Sequence, residues 1–229
     1  MPMNDSSASV IAVDGPSASG KGTISRRVAR ELGFHLLDSG ALYRLAGFAA
    51  EERHIALDDG PSVAAMLDRL DIMFSDEDLS NQDGVVYLDG RRLGPELRTE
   101  EAGRAASKVA SLPEVRAALV DRQRAFHRAP GLVADGRDMG TIIFPQASLK
   151  IFLDASPEER ATRRYKQLRG KGIDVSLTTL LSDIEARDAR DRGRETAPLT
   201  AAEDARVIDT SKMGIDEVVN SVLELWRSE

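Results

Sequence analysis

Short apolar runs alternate along this chain with stretches of helical spacing, and the alternation predicts most of its architecture. Five runs read as strands: Val10-Ile11-Ala12-Val13, Phe34-His35-Leu36-Leu37, Gly131-Leu132-Val133-Ala134, Leu149-Lys150-Ile151-Phe152-Leu153 and Arg206-Val207-Ile208. They are apolar and short, as expected of strands in a parallel sheet covered on both faces. Between the first two, Ile24, Val28 and Leu32 recur at helical spacing. Val218, Val219, Val222 and Leu225 mark a closing helix from about Ile215 to Trp226, whose role is packing. The fold class is therefore α/β, with a parallel sheet between layers of helices.

Two stretches break this rhythm. Between about Leu70 and Thr99 lie Ile72-Met73-Phe74, Val85-Val86-Tyr87-Leu88 and, after an Asp89-Gly90 turn, Arg91-Arg92-Leu93, which predicts a small antiparallel insert. Thr99 then caps a helical stretch, and another helix is expected from about Pro113 to His127. The second break begins at Ser156-Pro157-Glu158-Glu159, a capping box with proline at the first helical position. It opens a helix that Gly170-Lys171-Gly172 ends, and a second helix follows from about Ser176. The two arms carry Arg160, Arg163, Arg164, Arg187, Arg190, Arg192 and Arg194. Two readings fit such a hairpin: a lid over polyphosphate, or an ordinary ion-paired surface with contacts such as Arg187 to Asp191. The expected organisation is one domain, with a core at about 8–57, 112–155 and 200–229, an insert at about 58–111 and a lid at about 156–199.

The most specific local signal follows the first strand: Gly15-Pro16-Ser17-Ala18-Ser19-Gly20-Lys21-Gly22-Thr23. Glycines at both ends let the backbone curl so that successive N–H groups face a phosphate, and the following helix presents its positive end there. Lysine at position 21 suits the β- and γ-phosphates of ATP, and a nearby hydroxyl, here Thr23, suits Mg²⁺. Gly22 occupies the usual Ser/Thr position, a G-K-G-T arrangement that resembles nucleoside-monophosphate kinases more than GTPases. Asparagine occurs only at Asn4, Asn81 and Asn220, so the chain has no Asn-Lys-x-Asp guanine motif. The five strands end at Asp14, Asp38, Asp135, Asp154 and Asp209, at the sheet edge where nucleotide and metal are expected. Asp135 is the candidate for a Mg²⁺-bound water, with a capping or turn role as the other reading.

Composition narrows the picture further. With 229 residues, 41% of them hydrophobic, the chain is long enough for one large α/β domain. It has no cysteine, and His35, His54 and His127 are too dispersed for a His-built metal site, so no role is assigned to them. The net charge of -7 argues against non-specific contact with nucleic acid or anionic membrane. The polar start, Met1 to Ser9, lacks the features of a signal peptide, and a soluble, cytoplasmic monomer is expected. Only six of the 31 basic residues are lysine, and arginine forks suit bidentate phosphate binding.

Four segments in order carry a resemblance across nearly the whole chain: Asp14-Gly15-Pro16-Ser17, Leu37-Asp38-Ser39-Gly40-Ala41-Leu42-Tyr43-Arg44, Ala134-Asp135-Gly136-Arg137-Asp138-Met139-Gly140-Thr141 and Lys150-Ile151-Phe152-Leu153-Asp154-Ala155. Together they resemble bacterial cytidylate kinases. The resemblance implies a doubly wound α/β core around a five-stranded parallel sheet, with a monophosphate-binding insert and a short lid. It implies transfer of the γ-phosphoryl group of ATP to CMP or dCMP. Ser39, Tyr43 and Arg44 would receive the CMP phosphate, with Arg137 nearby. Ser107, Arg116 and Asp138 would read cytosine, and Arg187, Asp191 and Arg194 would approach ribose and phosphates. A carboxylate at 138 can accept from the cytosine N4 amino group, whereas uracil presents its O4 acceptor there; the other reading of Asp138 is a salt bridge to Arg137 or another arginine. One departure is Ala18, where many family members are glycine-rich.

Transfer of this kind needs no histidine or cysteine. A nucleoside monophosphate is largely a dianion at neutral pH, so positioning and charge neutralisation by Lys21, Mg²⁺, Arg137, Arg187 and Arg194 suffice. The alternatives are a P-loop kinase of another small acceptor (UMP, AMP or shikimate) and a non-catalytic nucleotide-binding module.

Overall fold

The computed structural model describes residues 8–75 and 85–229. The stretch 76–84 and the start of the chain up to residue 7, which includes most of the polar stretch Met1 to Ser9, lie outside the described residues.

The elements run β1 (Ser9–Asp14), α1 (Lys21–Leu32), β2 (His35–Asp38), α2 (Ser39–Glu52), α3 (Gly60–Leu67), β3 (Ile72–Ser75), β4 (Val85–Leu88), β5 (Arg91–Leu93), α4 (Glu100–Val109), α5 (Pro113–Arg124), β6 (Gly131–Gly136), β7 (Leu149–Asp154), α6 (Pro157–Gly170), α7 (Leu177–Arg192), β8 (Arg206–Asp209) and α8 (Ile215–Ser228). A 3₁₀ turn covers Pro95–Arg98, and a single π-type turn covers Met139–Ile143.

All five expected core strands form one parallel sheet in the order β2-β6-β1-β7-β8. β1 lies at its centre, so its side chains alternate between two buried faces. Val10 and Ala12 enter a core with Leu37, Leu132 and Ala134, covered by α2 and α5; Ile11 and Val13 enter a second with Val133, Ile151, α1 and α8. This is the doubly wound α/β arrangement. Burial on both faces explains why the strands read as continuous apolar runs.

The 70–99 region contains the expected antiparallel sheet, in the order β3-β4-β5. Sequence periodicity did not single out two helices. α2 starts where Asp38 accepts from the Ala41 N–H at 2.9 Å, and α3 where Asp59 accepts from the Ser62 N–H at 3.1 Å. Small residues let α2 approach α4 closely: a Cβ on Gly47 would stand 2.8 Å from that of Ala105. α5 stops at Arg124, short of the expected His127, because the chain closes into a tighter turn in which the His127 N–H donates to the Arg124 carbonyl at 3.0 Å.

α6 and α7 form the expected helical hairpin. Ser156 caps α6 by accepting from the Glu159 N–H at 3.2 Å, but the capping box is only half made. The Ser156 N–H donates instead to Ser211 Oγ at 3.3 Å, and Glu159 turns to Arg163 at 3.5 Å. No helix among the described residues is long and apolar enough to cross a membrane.

Candidate active site

The carboxyl ends of β1, β2 and β6 open into a cavity of about 1180 Å³, roofed by α4 of the insert and by the α6–α7 hairpin. Its first wall is the loop from β1 to α1. Gly15, at φ +147°, passes so close to β7 that a Cβ would lie 2.1 Å from the Leu153 carbonyl oxygen, which restricts the position to glycine. Gly20, at φ +94°, turns the chain into α1. Ala18 holds the left-handed conformation at φ +58° without being glycine. Ser17, Ala18, Gly20, Lys21, Gly22 and Thr23 line the cavity. Lys21 is buried, and its Nζ donates to the Pro16 carbonyl at 2.7 Å. Burial, followed by repulsion from Arg137, lowers the Lys21 ammonium to about 7, with Asp135 partly offsetting the shift.

Of the five strand-end aspartates, only Asp38 and Asp135 line the cavity. The expectation that all five meet a ligand is corrected by their partners. Asp14 accepts from the N–H groups of Met139 and Gly140, each at 2.8 Å, which staples β1 to the π-type turn. Burial raises its carboxyl to about 7. Asp154 and Asp209 accept from the nearby N–H groups of Ala155 and Ser211. Asp135 stands opposite Asp38 in the β2–β6 register, and burial raises it to about 6 against the pull of Lys21. The Asp135 carboxylate and the exposed Thr23 hydroxyl line the same cavity, and no group of three potential ligands occurs among the described residues. This donor set fits Mg²⁺, which keeps several waters and takes its remaining oxygens from phosphate. A Cβ on Gly22 would already stand 3.4 Å from Asp135 Oδ2, so the G-K-G-T spacing leaves room for that carboxylate.

The far wall gathers the residues expected to receive a monophosphate. Arg44, on α2, donates to Asp38 at 3.1 Å, and Ser39 is buried at the start of the same helix. Tyr43 packs beneath Arg116, whose guanidinium lies 5.7 Å from the ring centroid. Arg116 pairs with Asp138 through Nη2 and donates through Nη1 to the Ala110 carbonyl at 3.2 Å. The pair is almost wholly buried, at 6% and 3% side-chain exposure. Asp138 thus bridges to Arg116 and not to its neighbour Arg137, and the two residues expected to read the base hold each other in place. Ser107, also buried, accepts from Arg190 Nε at 3.3 Å.

Arg137, Arg187 and Arg194 converge on Asp191. The Asp191 carboxylate accepts from Arg137 Nε at 3.1 Å, pairs with Arg194, and lies 4.0 Å from Arg187 Nε, the ion pair weighed from sequence. Burial alone would raise Asp191, but Arg137, Arg194 and Arg187 hold it below the usual carboxylate range. The Nε–H groups of Arg187 and Arg194, and the Ser17 hydroxyl, are buried without a hydrogen-bond partner among the described residues. Unpaired polar groups such as these on one cavity are costly without a ligand and suit an anion.

The hairpin arginines divide. Arg163, Arg164, Arg187, Arg190 and Arg194 line the cavity, whereas Arg192 is exposed away from it. Arg164 is already engaged, donating through Nε to Glu100 at 2.8 Å. Arg160, counted from sequence with the polyphosphate-facing cations, is 1% exposed and lies outside the cavity lining, locked onto Asp188. Neither Asp188 nor the buried partnership of Arg160 was anticipated; in sequence both are ordinary charged positions on helices.

The sequence profile of the cytidylate kinase family matches residues 11–228. The chain belongs to the cytidylate kinase family. It is 55% identical over 222 residues to a cytidylate kinase of Bordetella bronchiseptica, with 96% of each chain covered. It is 54% identical over 221 residues to one of Vibrio parahaemolyticus, again with 96% of each chain covered. With one of Aeromonas salmonicida it shares 52% identity over 216 residues, covering 94% of this chain and 93% of that one. Members of this family are ATP-dependent phosphotransferases, so this chain is an enzyme of the kinase class.

Proposed function

We propose that this chain transfers the γ-phosphoryl group of ATP to CMP or dCMP, giving ADP and CDP or dCDP. The observation that carries the reading is one cavity with the phosphate loop at one end and the buried Arg116–Asp138 pair, with Ser107, at the other. ATP would lie along the 15–23 loop, its β- and γ-phosphates met by Lys21 and by N–H groups of the loop. Ser39, Tyr43, Arg44 and Arg137 would hold the acceptor phosphate. Asp138, fixed by Arg116, would accept from the cytosine amino group, with Ser107 beside it. Arg187 and Arg194, gathered on Asp191, would stabilise charge on the transferring group.

The acceptor phosphate has a second pKa of about 6 and is already a nucleophile at neutral pH, so no general base is required. Its oxygen bonds to the γ-phosphorus as the bond to the β–γ bridging oxygen breaks, and ADP leaves with those electrons. Catalysis then rests on alignment and charge neutralisation. Thr23 and Asp135, the latter through water, would hold Mg²⁺, which supplies charge neutralisation at the phosphates when bound. Closure of the α6–α7 lid over the insert would exclude water as a competing acceptor. The same reading divides the chain into core, insert and lid at the bounds given from sequence and takes it as a monomer.

The test is ADP formation from Mg-ATP with CMP, dCMP, UMP, AMP, shikimate or water as acceptor. Strong preference for CMP and dCMP is expected. Preference for another acceptor overturns the substrate, and tight ATP binding without turnover of any acceptor would make the chain a nucleotide-binding module.

A further inference from the structure

Arg160 and Asp188 stand outside the cavity, yet the guanidinium of Arg160 gathers three separate parts of the site. Its Nε donates to the Ala155 carbonyl at 2.9 Å, at the foot of α6. Nη1 and Nη2 meet the two Asp188 oxygens on α7 at 3.1 and 2.5 Å, and Nη1 also donates to the Ser17 carbonyl in the phosphate loop at 3.1 Å. Side-chain exposures of 1% and 6% leave water little access to the pair.

The contact with Ser17 sets an orientation. A peptide unit is planar and trans, so its C=O and the following N–H point in opposite directions. Holding the Ser17 carbonyl toward α6 therefore turns the Ala18 N–H away from α6. Ala18 lines the cavity, and its side chain packs against the hairpin core of Ala161, Leu168, Leu180 and Ile184. Arg163 repeats the device more weakly, donating to the Ser19 carbonyl at 3.4 Å. On α7, Arg187 immediately precedes Asp188, and Asp191, the hub of three arginines, follows one turn later. Fixing Asp188 thus fixes the position of that arginine cluster relative to the loop.

We propose that Arg160 and Asp188 are positioning residues for phosphoryl transfer, clamping the phosphate loop and the arginine-bearing face of α7 to one base so that loop amide and arginines address the same phosphate. The proposal rests on the reading that the 15–23 loop binds ATP.

The alternative is that the pair merely stabilises the hairpin, and paired replacements separate the two. Breaking a buried ion pair by removing one partner is strongly destabilising, whereas replacing both by apolar groups of similar volume is often neutral or better. Arg160→Met or Asp188→Leu alone should lower the thermal midpoint by about 10 °C. The double variant should regain the parent midpoint to within about 3 °C, yet bind Mg-ATP at least ~10-fold more weakly and turn over ~100-fold more slowly. Recovery of both midpoint and Mg-ATP affinity in the double variant would overturn the proposal.

Arg160→Lys supplies a second test, since one ammonium lacks the planar fork that reaches Asp188 and Ser17 together. It should fold and bind Mg-ATP ~10-fold more weakly; unchanged affinity would count against the clamp. Affinity is read by calorimetry without acceptor, so failure of the unmodified protein to phosphorylate CMP bears on the proposed acceptor and not on Arg160.

Discussion

On the donor side of the cleft, the cavity-lining residues Ser17, Ala18, Gly20, Lys21, Gly22 and Thr23 come from one continuous loop and helix start, whose backbone has φ of +147° at Gly15, +58° at Ala18 and +94° at Gly20. On the acceptor side, Asp38, Arg44, Ser107, Arg116 and Asp138 arrive from β2, α2, α4, α5 and the turn just past β6, and ion pairs and hydrogen bonds between side chains fix their geometry. The donor wall needs only a phosphate, which every nucleoside triphosphate presents. The acceptor wall must distinguish one base from another, and that requires side chains placed by long-range packing. Damage to the donor side should therefore cost rate with any acceptor, whereas damage to the acceptor side should change which acceptor is used and how tightly it is held.

The largest effect is expected from Lys21→Ala. Loss of the buried ammonium should lower kcat by ~10³-fold or more with every acceptor while the circular dichroism spectrum is unchanged. Near-normal turnover would remove the donor assignment. Next comes Arg44→Met, which would delete the charge-assisted contact proposed with the acceptor phosphate; KM for CMP should rise ~30-fold with KM for ATP within about twofold. Equal changes in both constants would erase the distinction between the two walls.

A smaller effect concerns pH. Burial and Arg137 depress the Lys21 ammonium to about 7, whereas the polyanion of ATP favours its charged form. Binding above that pH must take up a proton, so Mg-ATP affinity should fall by roughly 15-fold between pH 7 and 8.5. Calorimetry in buffers of different ionisation enthalpy measures the uptake directly, and a pH-independent affinity would refute it. Stability changes in the opposite direction: the depressed ammonium penalises the folded state in full below about 7, and the penalty is relieved progressively as pH rises from about 7 toward the ordinary lysine value of 10.5. The smallest effect is expected from Ala18→Gly. Relief of the left-handed alanine, about 1 kcal/mol, is offset by the greater freedom of glycine in the unfolded chain and by loss of the methyl packed on the hairpin. Scanning calorimetry should find the midpoint within about 2 °C of the parent.

The same contrast explains what could be read from sequence. The core strands were legible because burial on both faces leaves continuous apolar runs, and the phosphate loop because its chemistry is local. α2 was missed as a helix because its buried face is largely Leu, Ala and Gly rather than a strong amphipathic stripe, although Asp38 stood before it as a cap. The acceptor residues followed from family resemblance, since nothing local in the sequence brings Arg116 to Asp138 or Arg137 to Asp191. Arg160 was misplaced for a related reason: helical spacing shows that an arginine lies on a helix, but only tertiary packing shows that its head turns into the protein. The aspartates behaved likewise, for Asp14 and Asp135 end neighbouring strands yet one serves backbone N–H groups and the other faces the cavity.

The central claim is that the acceptor wall reads cytosine through Asp138, and the most direct measurement is the ratio of kcat/KM for CMP to that for UMP in the parent and in Asp138→Asn. An asparagine still fills the site beside Arg116, but its amide can turn a donor toward uracil O4. The account predicts that the CMP-to-UMP ratio falls by ~10-fold or more, with UMP gaining in absolute terms. An unchanged ratio, with both acceptors slowed equally, would contradict it and leave Asp138 as a structural partner of Arg116.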